Sequence, residues 1–226
     1  MKKAVVLLSG GLDSATTLYY ARDRGLRCFC LIFDYGQRHR KEILRAKAIA
    51  KRASCEWQVV KIALPWKGSA LLDKDARIPQ AANWQAGKRE NLIPPTYVPA
   101  RNIIFLSFAL SYAEVMGASA IYIGANAIDY SGYPDCRPEF YQAFIKAAEL
   151  GTKSGVEGKG MSILTPLIQK TKAQIIRLGV KLGVPYELTW SCYKGGKNPC
   201  AECDSCGFRE KGFREAGLSD PLSRKL

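Results

Sequence analysis

Residues 9–14, Ser-Gly-Gly-Leu-Asp-Ser, have the composition of a loop that binds phosphate. An apolar run from Ala4 to Leu8 precedes them and predicts a short buried strand, and the pattern becomes helical from Ser14. A strand, a glycine turn and a helix start direct free backbone N–H groups and the positive end of the helix at one point. Glycine also lets the backbone approach an anion closely. The hexapeptide therefore predicts a phosphate site, although it matches neither the lysine-containing P-loop pattern nor G-x-G-x-x-G.

A second group of reactive residues is a cysteine cluster near the end of the chain. It contains four of the eight cysteines within fifteen residues, namely Cys192, Cys200, Cys203 and Cys206. Four thiolates around one zinc ion form a closed, structural site. Iron–sulfur sites also use C-x-x-C-x-x-C spacing, but the wider gap after the first cysteine and the lack of a second C-x-x-C module favour zinc. Residues 190–210 are therefore predicted to be a subregion that binds one zinc ion.

Two cations at predicted helix starts are candidate phosphate ligands. Arg101 precedes an apolar helix expected at 103–116, and Lys172 follows Thr171, which forms a capping-box pattern with Gln174. A positive side chain at the positive end of a helix is unfavourable unless an anion lies nearby. We therefore expect Lys172, and also Arg101, to contact a bound phosphate.

The segment at 129–135 is polar and aromatic and follows a predicted strand. A single carboxylate can accept both the N1–H and the exocyclic amine of a guanine-like ring, and tyrosines can stack on its face. Turn formation is the alternative explanation for part of this segment. The candidate substrate-binding residues are Asp129, Tyr130, Ser131, Tyr133 and Asp135.

Strand and helix patterns alternate along the chain and predict an α/β fold with a parallel sheet. The expected strands are at 4–8, 26–34, 56–62, 120–124 and 163–167. The expected helices begin at 14 and, further along, cover 40–53, 103–116, 138–149 and 172–182. In such a sheet ligands bind beyond the carboxyl ends of the strands. All the candidate phosphate and substrate residues follow strands or begin helices, so one common site is expected.

Composition limits the class of protein but does not identify the function. The 226 residues, 47% apolar and 24% charged, suit one globular domain covering 1–226. The net charge of +14 is compatible with nucleic-acid binding, with attraction of ATP, or with solubility alone. No stretch has the pattern of a signal peptide or a membrane span, so we expect a soluble cytoplasmic protein without membrane contact.

Residues 63–99 carry five prolines and little periodicity, and are predicted to form a lid or substrate loop that excludes water. The one histidine of the chain, His39, lies beside arginines after the second predicted strand. A lone histidine there is more often a surface or positioning group, so no catalytic role is expected for it.

Several motifs in this order resemble those of the 7-cyano-7-deazaguanine synthases, a family within the ATP pyrophosphatases. They are residues 9–14, Phe33-Asp34-Tyr35-Gly36-Gln37-Arg38-His39, Val98-Pro99-Ala100-Arg101-Asn102, residues 129–137 and Thr189-Trp190-Ser191-Cys192-Tyr193. The resemblance covers nearly the whole chain. It departs at Ala201, where the family usually carries glycine, and this matters only if the backbone there needs a positive φ.

The resemblance implies a Rossmann-like sheet of the adenine nucleotide alpha hydrolase type, with helices on both faces. It also implies that ATP, 7-carboxy-7-deazaguanine and ammonia are the substrates, that no nucleic acid is bound directly and that the protein is a homodimer. Asp13 would help to hold Mg²⁺ on the pyrophosphate, Ser9 and Ser14 would bind its oxygens, and Zn²⁺ would bind the cysteines. The implied nucleotide-binding residues are Leu8, Ser9, Gly10, Gly11, Leu12, Asp13, Ser14, Ala15, Thr16, Thr17 and Leu18.

Two other functions remain open at this point. A tRNA thiolation enzyme of the same superfamily would share the phosphate loop, and Cys136 would be its candidate sulfur carrier. A nucleic-acid-binding zinc module would explain the charge and the cysteine cluster but not the glycine loop. Salt-sensitive binding to tRNA would favour the zinc module, whereas ATP consumption that depends on a small deazapurine acid would count against both alternatives.

Overall fold

The protein is built on a five-stranded sheet whose strands are all parallel. The computed structural model describes residues 1–38, 40–73, 75–79, 93–126 and 133–223. The strands are β1 (Lys3–Leu7), β2 (Arg27–Asp34), β3 (Glu56–Lys61), β4 (Ala120–Tyr122) and β5 (Ser162–Leu164). Their order is β3-β2-β1-β4-β5. The order reverses between β1 and β4, which is where a parallel sheet of this kind opens a crevice at its carboxyl edge.

Seven α-helices connect and cover the strands in the described part of the chain. They are α1 (Leu12–Asp23), α2 (Lys41–Arg52), α3 (Arg101–Met116), α4 (Pro138–Gly151), α5 (Lys153–Val156), α6 (Lys172–Lys181) and α7 (Asp204–Ala216). Short 3-10 turns lie at Pro134–Cys136 and Tyr186–Leu188. The predicted capping box is confirmed, since the Thr171 hydroxyl accepts from the Gln174 amide and the Gln174 side chain accepts from the Thr171 amide. Helix α7 had no predicted counterpart.

Alternate residues of β1 face two separate cores because successive side chains of a strand point to opposite faces. Ala4 and Val6 pack into a core shared with α1, α2, α6 and α7, whereas Val5 and Leu7 pack into one shared with α3 and α4. Both cores are buried, so the central strands are apolar throughout. The α/β prediction, with a parallel sheet and helices on both faces, is confirmed. In the described ranges, none of the helices combines the length and the apolar character that a bilayer crossing requires.

Candidate active site

The glycine loop lies directly between β1 and α1, as predicted. Gly10 has a φ of +86°, and a side chain there would collide with the backbone carbonyl of Glu42, so the loop packs closely on α2. The two serines of the loop are hydrogen-bonded to each other, since the Ser9 amide and hydroxyl lie 3.2 and 3.0 Å from the Ser14 hydroxyl. Gly11 precedes α1 and offers no side-chain cap. The positive end of α1 is therefore available to an anion.

Asp13 and Lys172 form an ion pair across the crevice. The Lys172 ammonium lies 2.9 and 2.8 Å from the two carboxylate oxygens of Asp13, and the side chains are only 9% and 19% exposed. Asp13 is in the first turn of α1 and Lys172 begins α6, so two helix starts meet at this point. The carboxylate is the nearby anion that a lysine at a helix start requires, and both groups lie beside the loop.

A cavity of about 250 Å³ extends from the loop along the carboxyl ends of β1 and β4. The predicted site residues that line it are Leu8, Ser9, Gly11, Leu12, Asp13, Ser14, Arg101, Tyr133 and Lys172. The remaining nucleotide-binding candidates are not among its lining residues, namely Gly10, Ala15, Thr16, Thr17 and Leu18. They are buried around the loop and within α1, where they support the lining residues from behind. Asp129, Tyr130 and Ser131 lie outside the described residues, as does His39.

Asp135 occupies a different position from the one its predicted role requires. It does not line the cavity and is 5% exposed, and one of its carboxylate oxygens accepts from the Asn102 amide at 2.9 Å. It therefore supplies the anion at the start of α3, where the sequence predicted a phosphate beside Arg101. The Arg101 guanidinium reaches the Tyr35 hydroxyl at 3.5 Å and lines the cavity. These contacts indicate that Asp135 positions the residues at the start of α3.

Cys136 also lines the cavity, but its thiol is poorly suited to carrying sulfur. Burial, together with the negative charge of Asp135, raises the pKa of Cys136 to about 12. The thiol therefore stays protonated near neutral pH, whereas the nucleophilic form of cysteine is the thiolate. The Asn102 side-chain amide also donates to the sulfur at 3.4 Å. This environment disfavours the thiolation alternative.

The four clustered cysteines are brought together as predicted. Their sulfur atoms all lie within 4.8 Å of one another, and those of Cys200 and Cys206 are 3.9 Å apart. Sulfur atoms bound tetrahedrally to one zinc ion at its usual bond length lie roughly 3.8 Å apart. The amides of Cys200 and Cys203 donate to the sulfurs of Cys192 and Cys200 at 3.4 and 3.3 Å, which favours thiolates. The cluster thus fits a single tetrahedral metal ion.

The cysteine region also holds the glycine loop in place, a contact that the sequence did not predict. The backbone amide of Trp190 donates to the Gly10 carbonyl at 2.9 Å, and its indole N–H donates to the Cys192 carbonyl at the same distance. Lys41 donates to the carbonyls of Gly196 and Lys197 at 2.8 and 2.7 Å, and its ammonium lies 3.6 Å from the Trp190 ring centre. The only sequence signal for this contact was the apolar side chain of Trp190, two residues before Cys192.

A buried arginine connects α7 to the same region. Arg209 is 5% exposed and pairs with both carboxylate oxygens of Asp220 at 2.7 and 2.9 Å. It also donates to the Thr189 hydroxyl at 2.7 Å, next to Trp190. One turn further along α7, Gly212 packs so closely on the stem of Lys172 that a side chain there would collide with it. Helix α7 therefore connects the last cysteine to the lysine of the ion pair.

Ala201 adopts the backbone conformation that makes its departure from the family's glycine significant. Its φ is +59°, in the left-handed region, and its side chain is exposed. The turn directs the amides of Glu202 and Cys203 to the Cys200 sulfur, at 3.4 and 3.3 Å. A non-glycine residue in this region costs about 1–2 kcal/mol.

Replacing Ala201 with glycine is expected to stabilise the protein by about 1 kcal/mol, because the relief of strain exceeds the entropy that glycine adds to the unfolded chain. For a chain of this length the thermal midpoint should rise by about 2–4 °C, measured by circular dichroism. Ala147→Gly, at an exposed position within α4, is the control and should lower the midpoint. An unchanged or lower midpoint for Ala201→Gly would contradict the assignment of strain.

The described flanks of the predicted lid lie against the cavity. Leu71 is buried and lines it, and its carbonyl accepts from the Arg38 amide at 2.9 Å. Positions 74 and 80–92 are outside the described residues, so the prediction that residues 63–99 exclude water stays a prediction.

Comparison with known proteins yields full-length relatives. The family described as queuosine biosynthesis protein QueC matches residues 3–217. Proteins named 7-cyano-7-deazaguanine synthase from Thermoplasma acidophilum and Trichodesmium erythraeum are 55% and 53% identical to the chain, over 221 and 222 residues. The matches cover 98% and 97% of this chain and 91% and 99% of those proteins. A protein of the same name from Stutzerimonas stutzeri is 54% identical, covering 97% of both chains.

Solved structures resemble the fold at much lower identity. The NMN synthetase from Francisella tularensis has a TM-score of 0.52 at 17% identity, covering 96% of this chain and 78% of its own. A 4-thiouridine synthetase, solved with RNA and bound ATP, has a TM-score of 0.51 at 21% identity, covering 94% and 53%. At these identities the likeness concerns the fold alone.

Proposed function

We infer the reaction from one premise: the chain belongs to the QueC family of queuosine biosynthesis proteins. The protein is therefore an ATP-dependent carbon–nitrogen ligase that forms 7-cyano-7-deazaguanine. The observation that carries this conclusion is an identity of 53–55% over nearly the full length of both chains. The cavity at the glycine loop supports it, since a loop of this kind suits the pyrophosphate of ATP.

The proposed substrates are 7-carboxy-7-deazaguanine, ammonia and ATP. A carboxylate reacts poorly with ammonia because its oxygen is a poor leaving group, and transfer of AMP to that oxygen makes it a good one. Attack by ammonia then gives an amide. Transfer of a second AMP, to the amide oxygen, allows elimination to the nitrile. Such chemistry depends on positioning, on neutralisation of charge and on exclusion of water, rather than on a protein nucleophile.

The residues around the loop would carry out this positioning. The backbone N–H groups at the start of α1 would bind the pyrophosphate, and Lys172 and Arg101 would neutralise its charge. Asp13 has the carboxylate that a magnesium ion needs, and bound magnesium would add further neutralisation of the phosphates. The sulfurs of Cys192, Cys200, Cys203 and Cys206 would hold zinc, which would stabilise the region beside the loop.

We propose that residues 129–131 and Tyr133 bind the deazaguanine. Tyr133 supports it, because this tyrosine lines the cavity and its hydroxyl lies 2.6 Å from that of Thr96. Asp129, Tyr130 and Ser131 keep their predicted role in reading the base. For Asp135 we now propose a positioning role at the start of α3 instead of direct contact with the base. The homodimer, the cytoplasmic location and the absence of bound nucleic acid stay predictions from the resemblance and the composition.

The test is a reaction containing the protein, magnesium, ATP, ammonium and 7-carboxy-7-deazaguanine, followed by mass spectrometry. We expect a product that has lost two oxygens and gained one nitrogen, with AMP formed in parallel. Omission of the deazapurine acid is the control and should abolish AMP formation. Amide as the final product would contradict the second adenylation, and neither product nor AMP would contradict the ligase function and direct attention to tRNA substrates.

A further inference from the structure

We propose that Glu42 is the catalytic base that removes protons from the incoming nitrogen. The inference rests on the proposed function, because only the conversion of ammonia into an amide and then a nitrile requires such a base. Glu42 lies in the first turn of α2 and lines the cavity. The glycine loop packs on its backbone, and Glu42 and the loop line the same cavity.

Among the described residues, the Glu42 carboxylate has no hydrogen-bond partner, whereas the other carboxylate that lines the cavity is bound on both oxygens. Asp13 and Glu42 are the acidic residues among the described residues that line the cavity, and both oxygens of Asp13 bind Lys172. The Glu42 side chain is half-buried, and its carboxylate interacts electrostatically with the Arg101 guanidinium without a hydrogen bond or close ion pair to any described residue. A half-buried carboxylate is costly to leave unpaired, so its retention beside the loop points to a role with a ligand.

The surroundings of Glu42 suit proton transfer near neutral pH. Burial raises the pKa of Glu42 to about 7, and the Arg101 guanidinium opposes part of that rise. Tyr35, at the end of β2, also interacts with Glu42, and Arg38 on the segment that follows lines the same cavity. A base with a pKa near the working pH combines the ionised form with a useful affinity for the proton. Glu42 therefore accepts protons above about pH 7 and loses this ability as the pH falls through that value.

The reaction breaks all three N–H bonds of ammonia. When ammonia attacks the adenylated carboxyl, the C–N bond forms, AMP leaves with the electron pair of the C–O bond, and one proton passes to Glu42. A second proton leaves the nitrogen as the amide oxygen attacks the second ATP and releases pyrophosphate. The third leaves as the C≡N bond forms and the second AMP departs with its electron pair. Solvent takes each proton from the carboxyl before the next transfer.

Two other titratable groups that line the cavity, Tyr35 and Cys136, are poor bases. Burial raises the pKa values of Tyr35 and Cys136, so both are protonated at neutral pH. Lys172 is occupied by its ion pair with Asp13, at 2.8 Å. Glu42, by contrast, is a carboxylate that lines the cavity and has its pKa raised to about 7.

The experiment separates the adenylation step from the steps that move protons. Glu42→Gln keeps the shape of the side chain and removes its basicity. We expect conversion of the adenylate to amide, followed in single turnovers, to fall roughly 10²- to 10⁴-fold. Exchange of labelled pyrophosphate into ATP moves no proton and should fall by no more than about threefold. In the wild-type protein, the amide-forming rate at constant free ammonia should rise through about pH 7, and the variant should lack that inflection.

A control variant, rescue by a second nucleophile and a variant of a rival residue test the role of Glu42. Glu139→Gln changes an exposed first-turn glutamate of α4 that does not line the cavity, and should leave both rates unchanged. Hydroxylamine, a nucleophile that is uncharged at neutral pH, should restore adenylate capture by Glu42→Gln, detected as the hydroxamate. An equal loss of exchange and amide formation, or no rescue by hydroxylamine, would overturn the role of Glu42. Selective loss of amide formation in His39→Gln would assign the base to that residue instead. Absence of exchange in the wild-type protein would overturn the proposed function itself.

Discussion

Replacing Asp13 with asparagine is expected to lower AMP formation by roughly a thousand-fold or more. The carboxylate lies in the first turn of α1, beside the loop and in contact with Lys172 at 2.8 and 2.9 Å. Under the proposed function it holds magnesium on the pyrophosphate, and a neutral amide loses the charge that this requires. Asparagine nevertheless has the same shape and can still accept one hydrogen bond from the lysine, so the fold should remain intact. The measurement is AMP formation at saturating ATP and deazapurine acid.

A double-mutant cycle separates the role in catalysis from the role in the ion pair. Lys172→Met removes the partner charge, and urea unfolding of both single variants and the double variant gives the coupling energy of the pair. If the pair were only structural, the double variant would recover stability and activity together, because no unpaired charge would remain in the crevice. We expect stability to recover and activity to remain lost. Near-normal turnover by Asp13→Asn would contradict the assignment to magnesium.

Cys203→Ser is expected to lose the metal and to lower the thermal midpoint by about 10 °C or more. Cys203 is completely buried, precedes α7 and lies within 4.8 Å of the other three sulfurs. Structural zinc binding contributes apparent free energies of about 10–16 kcal/mol in small zinc domains, which is comparable with the whole stability of a domain. The measurement is metal content by atomic emission, together with thermal unfolding followed by circular dichroism.

The same substitution should weaken ATP binding, because the cysteine region contacts the loop. Trp190 binds the Gly10 carbonyl, and Gly212 of α7 packs on the stem of Lys172. Loosening of residues 190–210 therefore removes support from both sides of the phosphate site. Cys55→Ser is the matched control, since Cys55 is half-buried outside the cluster and should keep the metal. A folded, active and metal-free Cys203→Ser protein would contradict a structural role for the cluster.

The sequence alone determined the features that depend on short-range patterns. The glycine hexapeptide, the capping box at Thr171 and the spacing of the four cysteines each involve a few neighbouring residues. The alternation of apolar strands and amphipathic helices was equally readable, and the parallel α/β sheet followed from it. Helix α7 was not predicted, because its sequence is polar on average and no apolar stripe marks a buried face. Its one strongly buried aromatic residue is Phe213.

Only the tertiary structure decided which groups meet in the site. Asp13 and Lys172 are 159 positions apart. The sequence predicted a magnesium ion as the partner of Asp13 and a phosphate as the partner of Lys172, but it did not predict that the two side chains bind each other. Asp135 had the composition of a base-reading residue, yet packing places it at the start of α3. The positive φ of Ala201 and the position of Glu42 in the cavity near Arg101 likewise depend on how distant segments pack around them. Residue type and spacing specify what a group can bind, whereas long-range packing determines which partner lies within a few ångströms of it.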